Sequence, residues 1–188
     1  MKILNEYMTN EMRLSASEQK FIIFKFKCII YDSSKFFMIS IFFAFAGLFR
    51  EFLFACMISI PLRIYSGGLH FKHYLSCFSF SFGYFILLIY GVSMISLPVY
   101  LSTILMILCS IINFCLSPIQ SASRPPLPAS ELQRVKQKSF ILSIYCILII
   151  LLFYQTPLAS VGYWTILLHS IQLIIANLLK KGGERYEK

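Results

Sequence analysis

"FFMISIFFAFAGLFREFLFACMISIPL" occupies residues 36–62. Its reading decides how often the chain crosses an apolar medium, and therefore which of the later segments share a side. The stretch is apolar except for Arg50-Glu51, Ser40 and Ser59. As one span it would hold two charges near its middle, each costing about 2.5–3.5 kcal/mol at a helix centre. As two arms, 36–49 and 52–62, it gives helices of only about 21 and about 16 Å at 1.5 Å per residue. A bilayer core measures about 30 Å. Length and charge alone leave both readings standing, so the rest of the chain must arbitrate.

The 188 residues are 58% hydrophobic and only 13% charged. Soluble domains carry about 25% charged residues. So little charge could not cover this much apolar surface in water, whereas lipid solvates it directly. An all-α integral membrane protein follows, with no room for a separate soluble domain. The net charge of +9 comes from 17 Lys and Arg against 8 Asp and Glu. Those cations lie between apolar runs, where they set orientation. No aromatic platform accompanies them, so nucleic acid is not an expected partner. Six cysteines (Cys28, Cys56, Cys77, Cys109, Cys115 and Cys146) form no C-x-x-C pair, and no metal or disulfide framework is expected.

Later apolar runs cover 78–97, 99–116, 140–154 and 158–179, broken at Pro98, at 117–139 and at Pro157. Counting crossings puts 63–77, 117–139 and 180–188 on one side, and these segments hold ten Lys and Arg residues between them. The turns at Pro98 and Pro157 hold none. That asymmetry places the basic side in the cytoplasm. Residues 1–35 carry six further basic residues and want the same side. An even number of crossings within 36–62 satisfies all of this, so two short helices or a re-entrant hairpin are expected, with Arg50 and Glu51 at the tip. The expected architecture is about six hydrophobic helices, the first two short, preceded by an amphipathic N-terminal helix.

Within residues 1–35, Phe21, Phe24, Cys28 and Tyr31 recur at three- and four-residue steps between Lys20, Lys25 and Lys27. That is the stripe of a basic helix lying in the membrane interface. The N-terminus lacks a signal-peptide core and is expected to remain on the protein. In "SPIQSASRPPLPASELQRVKQKS" (117–139), Pro125, Pro126 and Pro128 prevent helix. Ser130 could then cap a short basic one.

The densest chemistry lies in "RIYSGGLHFKHYLSC", residues 63–77. Gly67-Gly68 permits a tight turn immediately before His70. Cys77 is a candidate nucleophile, and two histidines are near it in sequence. On one straight helix His73, at i−4, would be the neighbour of Cys77, while His70 would stand about 10.5 Å away along the axis. Alternatively, the Gly-Gly turn folds His70 back toward a helix starting near Tyr74, with Cys77 in its first turn, where the helix dipole favours a thiolate. Spacing leaves both arrangements open. A belt of interfacial histidines and cations without catalysis is a third reading.

The pattern R-x4-G-x-H-x6-C, filled by Arg63, Gly68, His70 and Cys77, resembles the accessory gene regulator protein B family, membrane-embedded cysteine endopeptidases of bacterial quorum sensing. The order of segments is similar throughout the chain, with a Pro-containing basic loop between the two pairs of spans. Ser117 stands where alanine is usual, and Arg124 replaces a lysine. The resemblance implies that Cys77 is the nucleophile and His70 the base, with Arg63 and Gly68 in support. The implied reaction cuts the C-terminal side of a small propeptide of the AgrD type. A cysteine or serine of the peptide then attacks the acyl-enzyme and closes a thiolactone or lactone. No cofactor is implied. Expected partners are the propeptide, the lipid bilayer and a second copy of the chain in a homodimer. The expected location is the bacterial cell membrane, multi-pass, with both termini and the catalytic segment cytoplasmic.

No third catalytic residue is evident, Ser81 being only a weak candidate for orienting the pair. Arg124, Arg134, Lys136 and Lys138 are candidates for binding an acidic propeptide tail. A peptide exporter and a non-catalytic scaffold are the alternatives. Isolated polar residues such as Asn113, His169, Gln172 and Asn177, unmatched by any repeat, speak against the exporter. The whole chain is expected to form a single membrane-embedded peptidase domain, divided at 1–35, 36–62, 63–77, 78–116, 117–139, 140–179 and 180–188.

Overall fold

A computed structural model of the chain describes residues 16–69, 73–119 and 129–186. These form six helices: α1 (Ala16–Phe45), α2 (Phe49–Ser66), α3 (Tyr74–Ile86), α4 (Val99–Leu116), α5 (Ala129–Leu152) and α6 (Pro157–Tyr186). A π-turn, Leu87–Gly91, and a 3₁₀ turn, Val92–Met94, prolong α3. Four helical stretches are long and apolar enough to span a bilayer: Tyr74–Met94, Val99–Leu116, Glu131–Leu152 and Pro157–Leu179. The expected all-α membrane protein is what the chain forms.

The decisive stretch 36–62 does break, at Ala46–Leu48. Gly47 takes φ +73°, and the Leu48 N–H reaches back to the Phe43 carbonyl at 2.9 Å, closing α1 with a left-handed glycine cap. Two details differ from expectation. The amphipathic segment and the first arm are one continuous helix, α1, because nothing between Ala16 and Phe45 interrupts helical hydrogen bonding. The second arm runs through Pro61 to Ser66, giving α2 18 residues and a length of about 27 Å. Arg50 and Glu51 sit in the first turn of α2, beside the hairpin's tip, where Glu51 complements the helix dipole.

Packing centres on α6. Of its most apolar window 61% is buried, against 17% for Tyr74–Met94 and 28% for each of the other two spans. It lies against α2 and α4, with Ile166 and Leu173 fully enclosed. Apolar side chains such as Phe37, Ile104, Tyr145 and Leu148 face outward, as lipid contact allows. Aromatic rings join the hairpin to α3: Phe43 stacks on Phe52 at 5.1 Å, Phe52 meets Phe85 edge-on at 4.9 Å, and Phe42 meets Phe82 at 4.9 Å. Where α4 meets α6, small and polar residues permit close approach, with Ser170 Oγ donating to Asn113 Oδ1 at 3.0 Å.

The two ends of the bundle differ in character. At one end, the turn before α4 is held by Tyr163 Oη and Trp164 Nε1, which donate to the Ile95 carbonyl at 2.7 and 3.0 Å, and by Tyr154 Oη, which donates to the Leu97 carbonyl. Such ring donors suit the membrane–water interface. The other end gathers Lys35, the Gly67-Gly68 turn, the start of α3, Ser117–Ile119 and the basic first turns of α5. The expected loop 117–139 is shorter than anticipated, since α5 already begins at Ala129 and carries Arg134, Lys136 and Lys138 on a helix continuous with its span.

Candidate active site

Cys77 lies in the first turn of α3, half-buried. His73 is the N-cap of that helix, in an extended conformation (φ −100°, ψ 139°), and its carbonyl accepts the Cys77 N–H at 3.2 Å. His73 therefore precedes the helix. Its exposed ring makes no hydrogen bond to the Cys77 sulfur. Of the two arrangements left open by spacing, the straight helix pairing His73 with Cys77 is absent, and α3 starts at Tyr74 as the folded-back arrangement requires. His70 and Lys72 lie outside the described residues, as does Arg124.

The turn leading into this segment is held from three directions. Gly67 has φ +80°, outside the range that L side chains favour, and any Cβ there would collide with the Ile119 carbonyl. The close approach arises because residues 67 and 119 form a parallel β-bridge, in which the Ile119 N–H donates to the Ser66 carbonyl at 2.9 Å. Arg63, one turn earlier on α2, sends Nη2 to the Leu69 carbonyl at 2.9 Å. Ser66 Oγ meets His169 Nε2 at 2.7 Å, where both side chains are buried. Gly68 is buried too, but a Cβ there would meet Arg63 and Gln172 only at ordinary contact distances of 3.7 and 3.9 Å. Space excludes a side chain at Gly67, whereas at Gly68 the backbone, at φ +157°, is one that L side chains rarely adopt. Arg63 supports the turn by fixing the residue before His70.

One partner of Cys77 was invisible in the sequence. Lys35 of α1 places Nζ 3.2 Å from Cys77 Sγ and 2.6 Å from Asp32 Oδ1. Burial works against the ammonium, but its bonds to Asp32 and Cys77 outweigh that and hold its pKa above the ordinary lysine value. Only the Asp32–Lys35 spacing, three residues apart on a helix, was legible beforehand. Ser81, one turn beyond Cys77, is half-buried and is not brought into hydrogen bonding with the sulfur.

Within one turn of Cys77 a groove of about 310 Å³ opens between α3 and α6, lined by Leu69, Ser79, Gly83, Tyr84, Leu168 and Gln172 among others. Its walls are predominantly apolar. At the same end of the bundle, Arg134 and Lys138 are exposed, while Lys136 rests its Nζ 4.8 Å from the Phe114 ring centroid. Among the described residues no cluster of three or more His, Cys, Asp or Glu side chains could hold a metal ion.

Fold and site together define a multi-pass helical membrane protein that presents a cysteine in the first turn of a helix, beside an ammonium. The chain belongs to the accessory gene regulator B (AgrB) family, whose sequence profile matches residues 1–173. Membership assigns it a role in quorum-sensing peptide processing. No curated protein and no solved structure matches the chain.

Proposed function

We propose that the chain is a cysteine endopeptidase of the cell membrane that cleaves the C-terminal side of a small quorum-sensing propeptide and promotes cyclisation of the product. The observation that carries this reading is the position of Cys77 in the first turn of α3, within hydrogen-bonding distance of a cation. A helix N-terminus and a nearby positive charge are the two features that turn a thiol into a nucleophile. Membership of the AgrB family supports the substrate class.

In the proposed reaction the Cys77 thiol proton passes to His70. The thiolate adds to the scissile carbonyl, a C–S bond forms and the peptide C–N bond breaks. His70 returns its proton to the leaving amine. A cysteine or serine side chain of the acylated peptide then attacks the thioester, closing the ring and releasing Cys77. Water competes for the same thioester, and a membrane-embedded setting favours ring closure by limiting its access. The catalytic segment and both termini are assigned to the cytoplasmic side, in one peptidase domain.

The test is cleavage of a small AgrD-type propeptide by purified protein in detergent micelles, where no second compartment exists. Wild type should cleave, and Cys77→Ala and His70→Ala should not, with all three proteins eluting identically on size exclusion. His73→Ala should retain most activity. Cleavage surviving in Cys77→Ala would sink the peptidase reading. Activity lost in His73→Ala but kept in His70→Ala would reassign the base.

A further inference from the structure

We propose that Lys35 is a further catalytic residue: its ammonium, tethered by Asp32, hydrogen-bonds the Cys77 sulfur and holds it as a thiolate aimed for attack. This rests on the reading of Cys77 as nucleophile.

The burial of Lys35 is the first argument. Interfacial lysines ordinarily extend their ammonium toward water and lay only the methylene stem on apolar surface. Lys35 does the opposite. It is 8% exposed, and two of its contacts are Asp32 Oδ1 and Cys77 Sγ. A buried ammonium needs acceptors for its donors. A neutral thiol is a weak acceptor, whereas a thiolate is a full one. At an N–S distance of 3.2 Å the ammonium is placed to donate to that thiolate.

The second argument concerns which proton role is open to the lysine. Its raised pKa keeps it an ammonium at neutral pH, so it donates to the sulfur and cannot be the base that deprotonates it. Removing the thiol proton is left to the histidine, and Lys35 stabilises what remains. Asp32 is 70% exposed in its side chain, so water screens its charge from the sulfur while its short bond anchors Nζ.

The third argument is that the geometry is built. Ser34 Oγ and Tyr74 Oη lie 2.9 Å apart, and the Tyr31 and Tyr74 rings meet edge-on at 5.4 Å, so the turn of α1 that leads into Lys35 is keyed to the first turn of α3. Nζ itself lies 6.0 Å from the Tyr74 ring centroid. The ionisable groups described around the sulfur are Lys35, Asp32 and Tyr31 from α1, with Tyr74 and the capping His73 from its own segment.

The experiment follows iodoacetamide alkylation of Cys77, resolved from the other cysteines by peptide mass spectrometry, on the full chain in lipid nanodiscs. Within wild type, the rate at pH 7 is divided by the rate at pH 10, which cancels differences in access. An unassisted thiol would give a ratio of about 1:30 from its ordinary ionisation near pH 8.5. The expected wild-type ratio is several-fold larger. In Lys35→Met the pH 7 rate should fall several-fold and converge with wild type at pH 10. Lys35→Arg should keep most of the wild-type rate, and propeptide cleavage should follow the same order through kcat. A wild-type ratio no better than that of an unassisted thiol overturns the proposal, even should Lys35→Met fail to fold. So does an unchanged pH 7 rate in a folded Lys35→Met. Alkylation needs no propeptide, so its outcome is separate from that of Cys77→Ala in the cleavage assay.

Discussion

Replacing Gly67 by alanine isolates the turn that positions the proposed catalytic segment. Two penalties combine. At φ +80° and ψ −152° a side chain enters a sparsely populated backbone region, costing about 1–3 kcal/mol. The added Cβ also collides with the Ile119 carbonyl, so the bridge must open and the Ser66–Ile119 hydrogen bond, worth about 1 kcal/mol, is lost. The sum is about 2–4 kcal/mol. The bundle does not bear it all, because the turn can undock from Ile119 while the Phe43–Phe52–Phe85 contacts stay in place. Undocking shifts Leu69, whose carbonyl Arg63 holds. We expect kcat/KM for propeptide cleavage to fall at least tenfold in Gly67→Ala, since about 1.4 kcal/mol already corresponds to a factor of ten. Thermal unfolding in detergent should shift far less than a core cavity would shift it. Gly83→Ala is the matched control: it lies within α3, a Cβ there meets nothing within 4 Å, and helix propensity favours alanine by about 1 kcal/mol. That variant should be as stable as wild type or more so. A Gly67→Ala protein with wild-type kcat/KM would refute the claim that the bridge to Ile119 positions the site.

Two further outcomes test the surroundings of the site. Arg134→Gln combined with Lys138→Gln should raise the apparent KM for an acidic-tailed propeptide several-fold with kcat unchanged, at most about 1 kcal/mol per exposed pair, and added salt on wild type should imitate it. Lys136 is left intact there because it covers Phe114; an unchanged KM would reduce the basic turns to an orientation signal. Single cysteines placed at 121 and 183 should label only from the cytoplasmic side, and one placed at 96 only from outside, by the distribution of Lys and Arg. Labelling of position 121 from outside would mean that α1 and α2 together cross an odd number of times.

Much of the fold is legible locally. The four spans and the break within residues 36–62 follow from apolar run length, glycine and proline placement, and charge, whereas the helix start just after His73 was one of two arrangements that spacing left open. Each of these acts over a few residues along one helix. The same is true of the motif at residues 63–77, whose glycines and cysteine mark a turn and a candidate nucleophile before any packing is known. The length of α1 was less legible, because a basic interfacial stripe and an apolar arm differ in composition but share uninterrupted helical backbone. What only tertiary structure decided are the meetings between distant segments: Lys35 with Cys77 across 42 residues, Gly67 with Ile119, and Ser66 with His169 across 103. A lysine at a membrane edge reads as one topology charge among many until the hairpin docks on α3. That docking is set by the fit of Phe42, Phe52, Phe82 and Phe85, and shape complementarity between rings leaves no periodic mark in a sequence already crowded with phenylalanine. At Gly67 it is a neighbouring carbonyl from 52 residues away, and not the turn's own dihedrals alone, that leaves a Cβ no room.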